Sequence, residues 1–107
     1  KYILSCSEDK AIRIWDSYTG RCIKELKGHR ERVLSAYFSP DNELIVSASD
    51  DRTIKIWNVS TGKCIDSFYL EDEDKPICAV KWHPNGEELL FIYEPSICPE
   101  IWEYKRD

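Results

Sequence analysis

Apolar and polar residues alternate in short runs along most of this chain. Leu44 to Ser49 alternates, as does Thr53-Ile54-Lys55-Ile56-Trp57. Both runs are rich in β-branched and aromatic residues, the pattern of a strand rather than a helix. Turn-forming residues stand between the runs. Ser39-Pro40-Asp41-Asn42 and His83-Pro84-Asn85-Gly86 place proline at the second turn position, where its fixed φ suits a type I turn. Asp50-Asp51-Arg52 makes the next connection. Tyr18-Thr19-Gly20 and Ser60-Thr61-Gly62 offer a glycine where a positive φ is wanted. The pattern predicts strands over Val33–Phe38, Leu44–Ser49, Thr53–Asn58 and Cys64–Tyr69 in the middle of the chain. Before these it predicts residues 2–7, Ala11–Asp16 and Cys22–Lys27, and after them residues 77–83, 89–93 and 100–104. Pro95 and Pro99 fall inside the last hairpin, which should be irregular or lie on an edge. No stretch carries helical periodicity, so the expected fold class is all-β.

The strands repeat. Residues 3–23 and 45–65 align with an offset of 42 and are identical at eleven of twenty-one positions, including Ser5/Ser47, Asp9/Asp51, Trp15/Trp57, Gly20/Gly62 and Cys22/Cys64. A weaker third copy runs from Leu89 to Trp102, and VLSAYFSPD (33–41) pairs with ICAVKWHPN (77–85). A period in this range is the mark of stacked supersecondary units.

Composition narrows the function classes. Of 107 residues, 15 are Lys or Arg and 20 are Asp or Glu, a formal charge of −5. That balance argues against nucleic acid as a partner of the whole chain, which needs a basic face. The charge is uneven: residues 1–37 carry +3 and residues 38–107 carry −8. Apolar runs end after three or four residues, far short of the ~20 a membrane-spanning helix requires, and no secretory signal opens the chain. The five cysteines, at 6, 22, 64, 78 and 98, are odd in number and form no CxxC pair. They are expected to be free and mostly buried, in a reducing intracellular compartment, cytoplasm or nucleus. No phosphate-cradling glycine loop, HExxH or zinc spacing occurs, so no metal or cofactor is expected.

Gly28-His29, Ser39-Pro40-Asp41, SASDDRTIKIWN (47–58) and its near-copy SCSEDKAIRIWD (5–16) resemble WD40 repeats. That family builds four-stranded blades into a β-propeller. The resemblance implies one complete blade over residues 28–70, a partial blade of three outer strands over residues 1–27, and a degenerate blade lacking its outer strand over residues 71–107. Propellers close with four to eight blades, so three should form an incomplete propeller. The expected reading is the C-terminal segment of a longer propeller, with the remaining blades upstream or on another chain.

The resemblance also nominates residues. His29, Ser47, Asp51 and Trp57 match the family's hydrogen-bonded tetrad, and Ser5, Asp9 and Trp15 match three members of a second one. Buried polar groups need partners, and an indole N–H can only donate; a Ser–His–Asp set could also suggest a catalytic triad, but no oxyanion hole or accessible hydroxyl has a signal here. No catalytic residue is expected. In the third copy the pattern fails, with Ile92 and Ser96 at the Ser and Asp positions and only Trp102 retained. The family's partner-facing positions fall on Arg32, Leu34 and Asp50, and elsewhere on Glu8, Pro76, Cys78 and Pro95. Arg32 beside an exposed Leu34 is the anchor-type pair. The acidic run 71–74 reads as a solvated loop, and Arg21, Lys24, Lys27 and Arg30 as the charged face of an edge strand.

Two functions from different classes fit. One is a non-catalytic protein–protein interaction scaffold that assembles a multiprotein complex, binding other proteins or peptides through the propeller face. The other is a ligand-sensing or substrate-receptor domain of a larger signalling NTPase or ubiquitin ligase. A propeller enzyme is disfavoured.

Overall fold

The computed structural model describes residues 2–6, 8–69, 77–93 and 100–103, with side chains for residues 2–6, 8–69 and 79–89. Its strands are β1 (Tyr2–Cys6), β2 (Ala11–Asp16), β3 (Cys22–Lys27), β4 (Val33–Phe38), β5 (Leu44–Ser49), β6 (Thr53–Asn58), β7 (Cys64–Tyr69), β8 (Ile77–Trp82), β9 (Glu88–Tyr93) and β10 (Glu100–Glu103). Among the described residues there is no helix. Consecutive strands pair antiparallel in three separate sheets, β1-β2-β3, β4-β5-β6-β7 and β8-β9-β10, which do not close a ring.

The period of two along each strand distributes its side chains to two faces. In the central sheet Leu44, Val46 and Ala48 of β5 join Ile54 and Ile56 of β6 against Val80, Trp82 and Leu89 of the third sheet, with Phe68 at the margin. On the opposite face, Ile45 and Trp57 lie directly across from one another and pack with Ile12, Ile14 and Leu26 of the first sheet and Val33 of β4. Every residue of β5 is therefore buried. The alternation there separates two neighbours, not core from water. Burying both faces is what a stacked sheet requires, because the hydrophobic gain scales with the apolar area removed from water. Two polar contacts reinforce the stack: the Val80 N–H donates to Ser35 Oγ at 3.1 Å, and Lys24 Nζ donates to the Ser60 carbonyl at 2.6 Å.

The turns follow the local chemistry. Gly20 and Gly62 have φ of 72° and 74°, each after a residue whose side chain caps the turn: Asp16 Oδ1 accepts from Tyr18 and Thr19 N–H, and Asn58 Oδ1 accepts from Thr61 N–H. In the Ser39–Pro40 turn, Asp41 Oδ1 accepts from Ser39 Oγ and Glu43 N–H, and Ser39 Oγ accepts from Leu44 N–H.

Three expectations need correcting. β8 stops at Trp82, because His83 Nδ1 accepts the Asn85 N–H inside the turn; β9 in turn begins one residue early, at Glu88. The cysteines described, Cys6, Cys22 and Cys64, are exposed rather than buried. Cys22 and Cys64 sit on outer edge strands, where each thiol donates to the carbonyl two residues on. Lys24 belongs to the contact between sheets and not to a solvated charged face. The predicted strand ends at Ser7 and Tyr104, the acidic run 71–74, and Pro76, Pro95, Ser96 and Pro99 lie outside the described residues.

Candidate functional site

The repeat's polar residues meet at one end of β4–β6, between the first and central sheets. Trp57 Nε1 donates to Ser47 Oγ at 2.9 Å, Ser47 Oγ lies 2.7 Å from His29 Nε2, and His29 Nδ1 lies 3.0 Å from Asp51 Oδ2. The proton order follows from chemistry. The indole can only donate, so Ser47 receives one proton and passes its own to Nε2. Nε2 is therefore the acceptor, Nδ1 carries the hydrogen, and Asp51 accepts it. Burial lowers the His29 pKa against the opposing pull of Asp51, which keeps the ring neutral and makes this tautomer the working one.

Asp51 is the hub. Burial alone would raise its pKa, but donors outweigh burial: the Thr53 hydroxyl, the Arg30 N–H, His29 and the Thr53 N–H hold it at about 2. The Arg30 and Thr53 N–H groups each lie 2.8 Å from it, so one carboxylate ties the loop before β4 to the β5–β6 turn. That turn forces Arg52 to a φ of 67°, a left-handed conformation that costs a non-glycine residue energy and persists because these bonds over-determine it. Ser49 adds to the tie, donating to the Arg32 carbonyl at 2.8 Å and accepting the Asp51 N–H. Gly28 completes it: a Cβ there would stand 3.1 Å from the ring of Trp57, a close approach that favours glycine.

Thr53, Ser49 and the Arg30 N–H were not picked out from the sequence. Ser49 was detectable through its repeat partner Ser7. Thr53 was not, because the first repeat has Ala11 there.

Ser47 is fully buried, and the chain of donors runs from indole to carboxylate. Among the described residues, no group of three or more His, Cys, Asp or Glu is placed to hold a metal, and no helix is long and apolar enough to cross a membrane.

Beside this network, Arg32 and Asp50 form an ion pair on the surface, Nε to Oδ2 at 2.5 Å. Asp50, with Glu8 contributing from the first sheet, raises the Arg32 pKa. The Asp50 N–H also bonds to the Arg32 carbonyl at 3.2 Å. Leu34 is the extra residue of a bulge: Val33 opposes Ser49 and Ser35 opposes Ala48. It is half-buried rather than exposed, because a bulge re-aims its side chain. The same register shift recurs in β8 at Cys78, between Ile77 and Ala79; the Cys78 side chain lies outside the described residues, as does Pro76.

In the first sheet, Trp15 Nε1 donates to Ser5 Oγ at 2.8 Å, as in the central sheet. Asp9 accepts from the Ala11 N–H and pairs with Arg13. No histidine reaches this pair: the chain has two, His29 in the central network and His83 in the β8–β9 turn.

A model of the WD domain, G-beta repeat, matches residues 1–16 and 20–58. The chain is 42% identical over 46 residues to the nuclear distribution protein PAC1 of Mycosarcoma maydis, and 43% identical over 44 residues to that of Coccidioides posadasii. These matches cover 43% and 41% of this chain but only 10% and 9% of the relatives. The repeat period, the stacked antiparallel sheets and these matches together place the chain in the WD40 repeat family.

Proposed function

We propose that this chain is part of a non-catalytic WD40 scaffold, with blades over residues 1–27, 28–70 and 71–107, that assembles an intracellular protein complex. WD40 repeats generally mediate protein–protein interaction and are generally non-catalytic, and relatives of the chain carry the name nuclear distribution protein. In this reading His29, Ser47, Asp51 and Trp57 form the structural tetrad of the complete blade, Ser5, Asp9 and Trp15 its partial counterpart, and neither set performs chemistry.

The observation that carries the reading is the Arg32–Asp50 pair, whose Asp50 adjoins the Asp51 hub in the chain. Backbone held this firmly loses little entropy when a partner docks. The pair uses Nε of Arg32 and leaves the Nη1–Nη2 edge of the guanidinium to meet a carboxylate. Leu34 lends the anchor a half-buried apolar neighbour, and Glu8 lies close enough to bias the charge of the patch. Pull-down with the full-length protein identifies the partner. Arg32→Ala is then expected to weaken its binding at least tenfold, while Lys27→Ala, on the exposed β3 edge, leaves it unchanged. Equal affinity for both variants, or loss only with Lys27→Ala, would refute the assignment of this face.

A further inference from the structure

Strand register fixes which side chains look at one another between the outer strands β3 and β7. Ile12 and Ile14 pack with Ile45 and Trp57. Their cross-strand partners Leu26 and Lys24 on β3 therefore point toward the central sheet. From the other side, Trp57, Lys55 and Thr53 stand opposite Cys64, Ser67 and Tyr69 of β7, so these three look back toward β3. Burial falls off outward along this face. Trp57 is 1% exposed, Lys55 is half-buried, and Cys64, Ser67 and Tyr69 are exposed, Tyr69 at 61%. The two sheets thus meet at Trp57 and Leu26 and part toward the rim, which leaves a crevice open between β3 and β7.

Its walls carry charge of one sign. Lys24 Nζ donates to the Ser60 carbonyl at 2.6 Å, and Lys55 Nζ donates to Ser67 Oγ at 3.2 Å. Both acceptors are neutral, and an ammonium has three N–H donors to place. The carboxylates nearby are committed or face away. Asp51 serves its four donors, and Asp16 accepts from the Tyr18 and Thr19 N–H groups. Glu25 pairs with Arg13 and Lys27, and Asp66 stands opposite Ile56 on the face toward the third sheet. The positive field of Lys55 reaches His29, whose pKa it helps to lower.

We propose that this rim crevice is a second interaction surface, for an extended acidic segment of a partner protein. Its carboxylates lie between Lys24 and Lys55, and an apolar side chain rests on Tyr69. Charge complementarity selects the occupant. Two ammonium groups on facing, partly dehydrated walls repel one another, and a carboxylate between them turns that repulsion into attraction. Tyr69 adds an exposed aromatic body of the kind that interfaces favour. A nucleic-acid strand fits less well, because it is tracked by a continuous basic groove and this chain carries a net charge of −5. The crevice is separate from the partner face at Arg32, and the inference stands if that face is misassigned.

The exposed thiols supply the test. Cys64 lies on the crevice wall, whereas Cys22 stands opposite Trp15, on the other face of β3. The full-length protein is alkylated with N-ethylmaleimide in the presence of an octapeptide of alternating glutamate and valine, and each cysteine is followed by mass spectrometry. Slowed alkylation of Cys64 with Cys22 unchanged is expected, and added salt should reverse it. Lys24→Gln and Lys55→Gln each keep a donor for Ser60 or Ser67 and lose the charge. Each should raise the peptide concentration for half-protection about fivefold, at an unchanged melting temperature. The glutamine–valine peptide should not protect. No protection of Cys64, equal protection of Cys22, equal effect of the glutamine–valine peptide, or full protection in both lysine variants would overturn the proposal. So would stronger protection by oligothymidylate than by the acidic peptide.

Discussion

Asp51→Ala is the most informative single substitution. It removes the carboxylate that four donors share: the His29 Nδ1–H, the Thr53 hydroxyl, and the Arg30 and Thr53 N–H groups. Two of these are backbone groups that only Asp51 brings together. Hydrogen bonds to a charged acceptor contribute about 1.5–3 kcal/mol each, but those sharing one acceptor do not add. The depressed pKa agrees in sign. The carboxyl sits at about 2 in the folded protein against an ordinary 3.8, so folding favours its charged form. Allowing for the orphaned backbone N–H groups, the variant should lose about 2–4 kcal/mol. The sign with pH follows from the depressed pKa. The carboxylate's contribution is full above about pH 4 and disappears as pH falls through about 2. His29, whose pKa is also depressed, subtracts stability as pH drops below about 6.5, because the unfolded chain takes up the proton more readily. Urea unfolding of the full-length protein at pH 7 and pH 3 measures both effects. A loss below about 0.5 kcal/mol at pH 7, or a loss at pH 3 as large as at pH 7, would refute the account of Asp51 as a charged hub.

Gly28→Ala should cost about 1 kcal/mol, since the indole that the new methyl meets is buried and held by Ser47; a lowered melting temperature with a shifted Trp57 emission checks it. Ser35→Ala leaves the Val80 N–H buried without its acceptor and should cost about 1–2 kcal/mol, with faster amide exchange at Val80 as the specific sign. Lys10, exposed and at a φ of 75°, is strained as any L-residue is there, so Lys10→Gly should stabilise by about 0.5 kcal/mol after glycine's extra chain entropy is subtracted. Thermal unfolding decides the sign.

Much of this protein was legible in one dimension. Alternation and turn chemistry place ten strands because a period of two and a positive-φ glycine are local demands that each segment meets alone. The 42-residue repeat exposes the Ser, Asp and Trp positions because each copy must fasten the same strands at the same corner. Other features belong to the tertiary structure. Alternation along Leu44–Ser49 marks two faces but not what lies opposite them, and only stacking reveals that Ile45 shares one apolar cluster with Ile12 and Ile14 while Val46 shares another with Val80. The same stacking turns Lys24 from a surface charge into a link to Ser60. It also exposes Cys22 and Cys64, since an outer strand has a neighbour on one side only. Register decides Leu34, which a bulge folds partly inward, and proximity decides Arg32, which Asp50 claims from eighteen residues away. Each of these depends on residues distant in the chain meeting at a sheet edge or between two sheets. A strand's own pattern specifies which faces it has, and the neighbouring sheets decide what those faces touch.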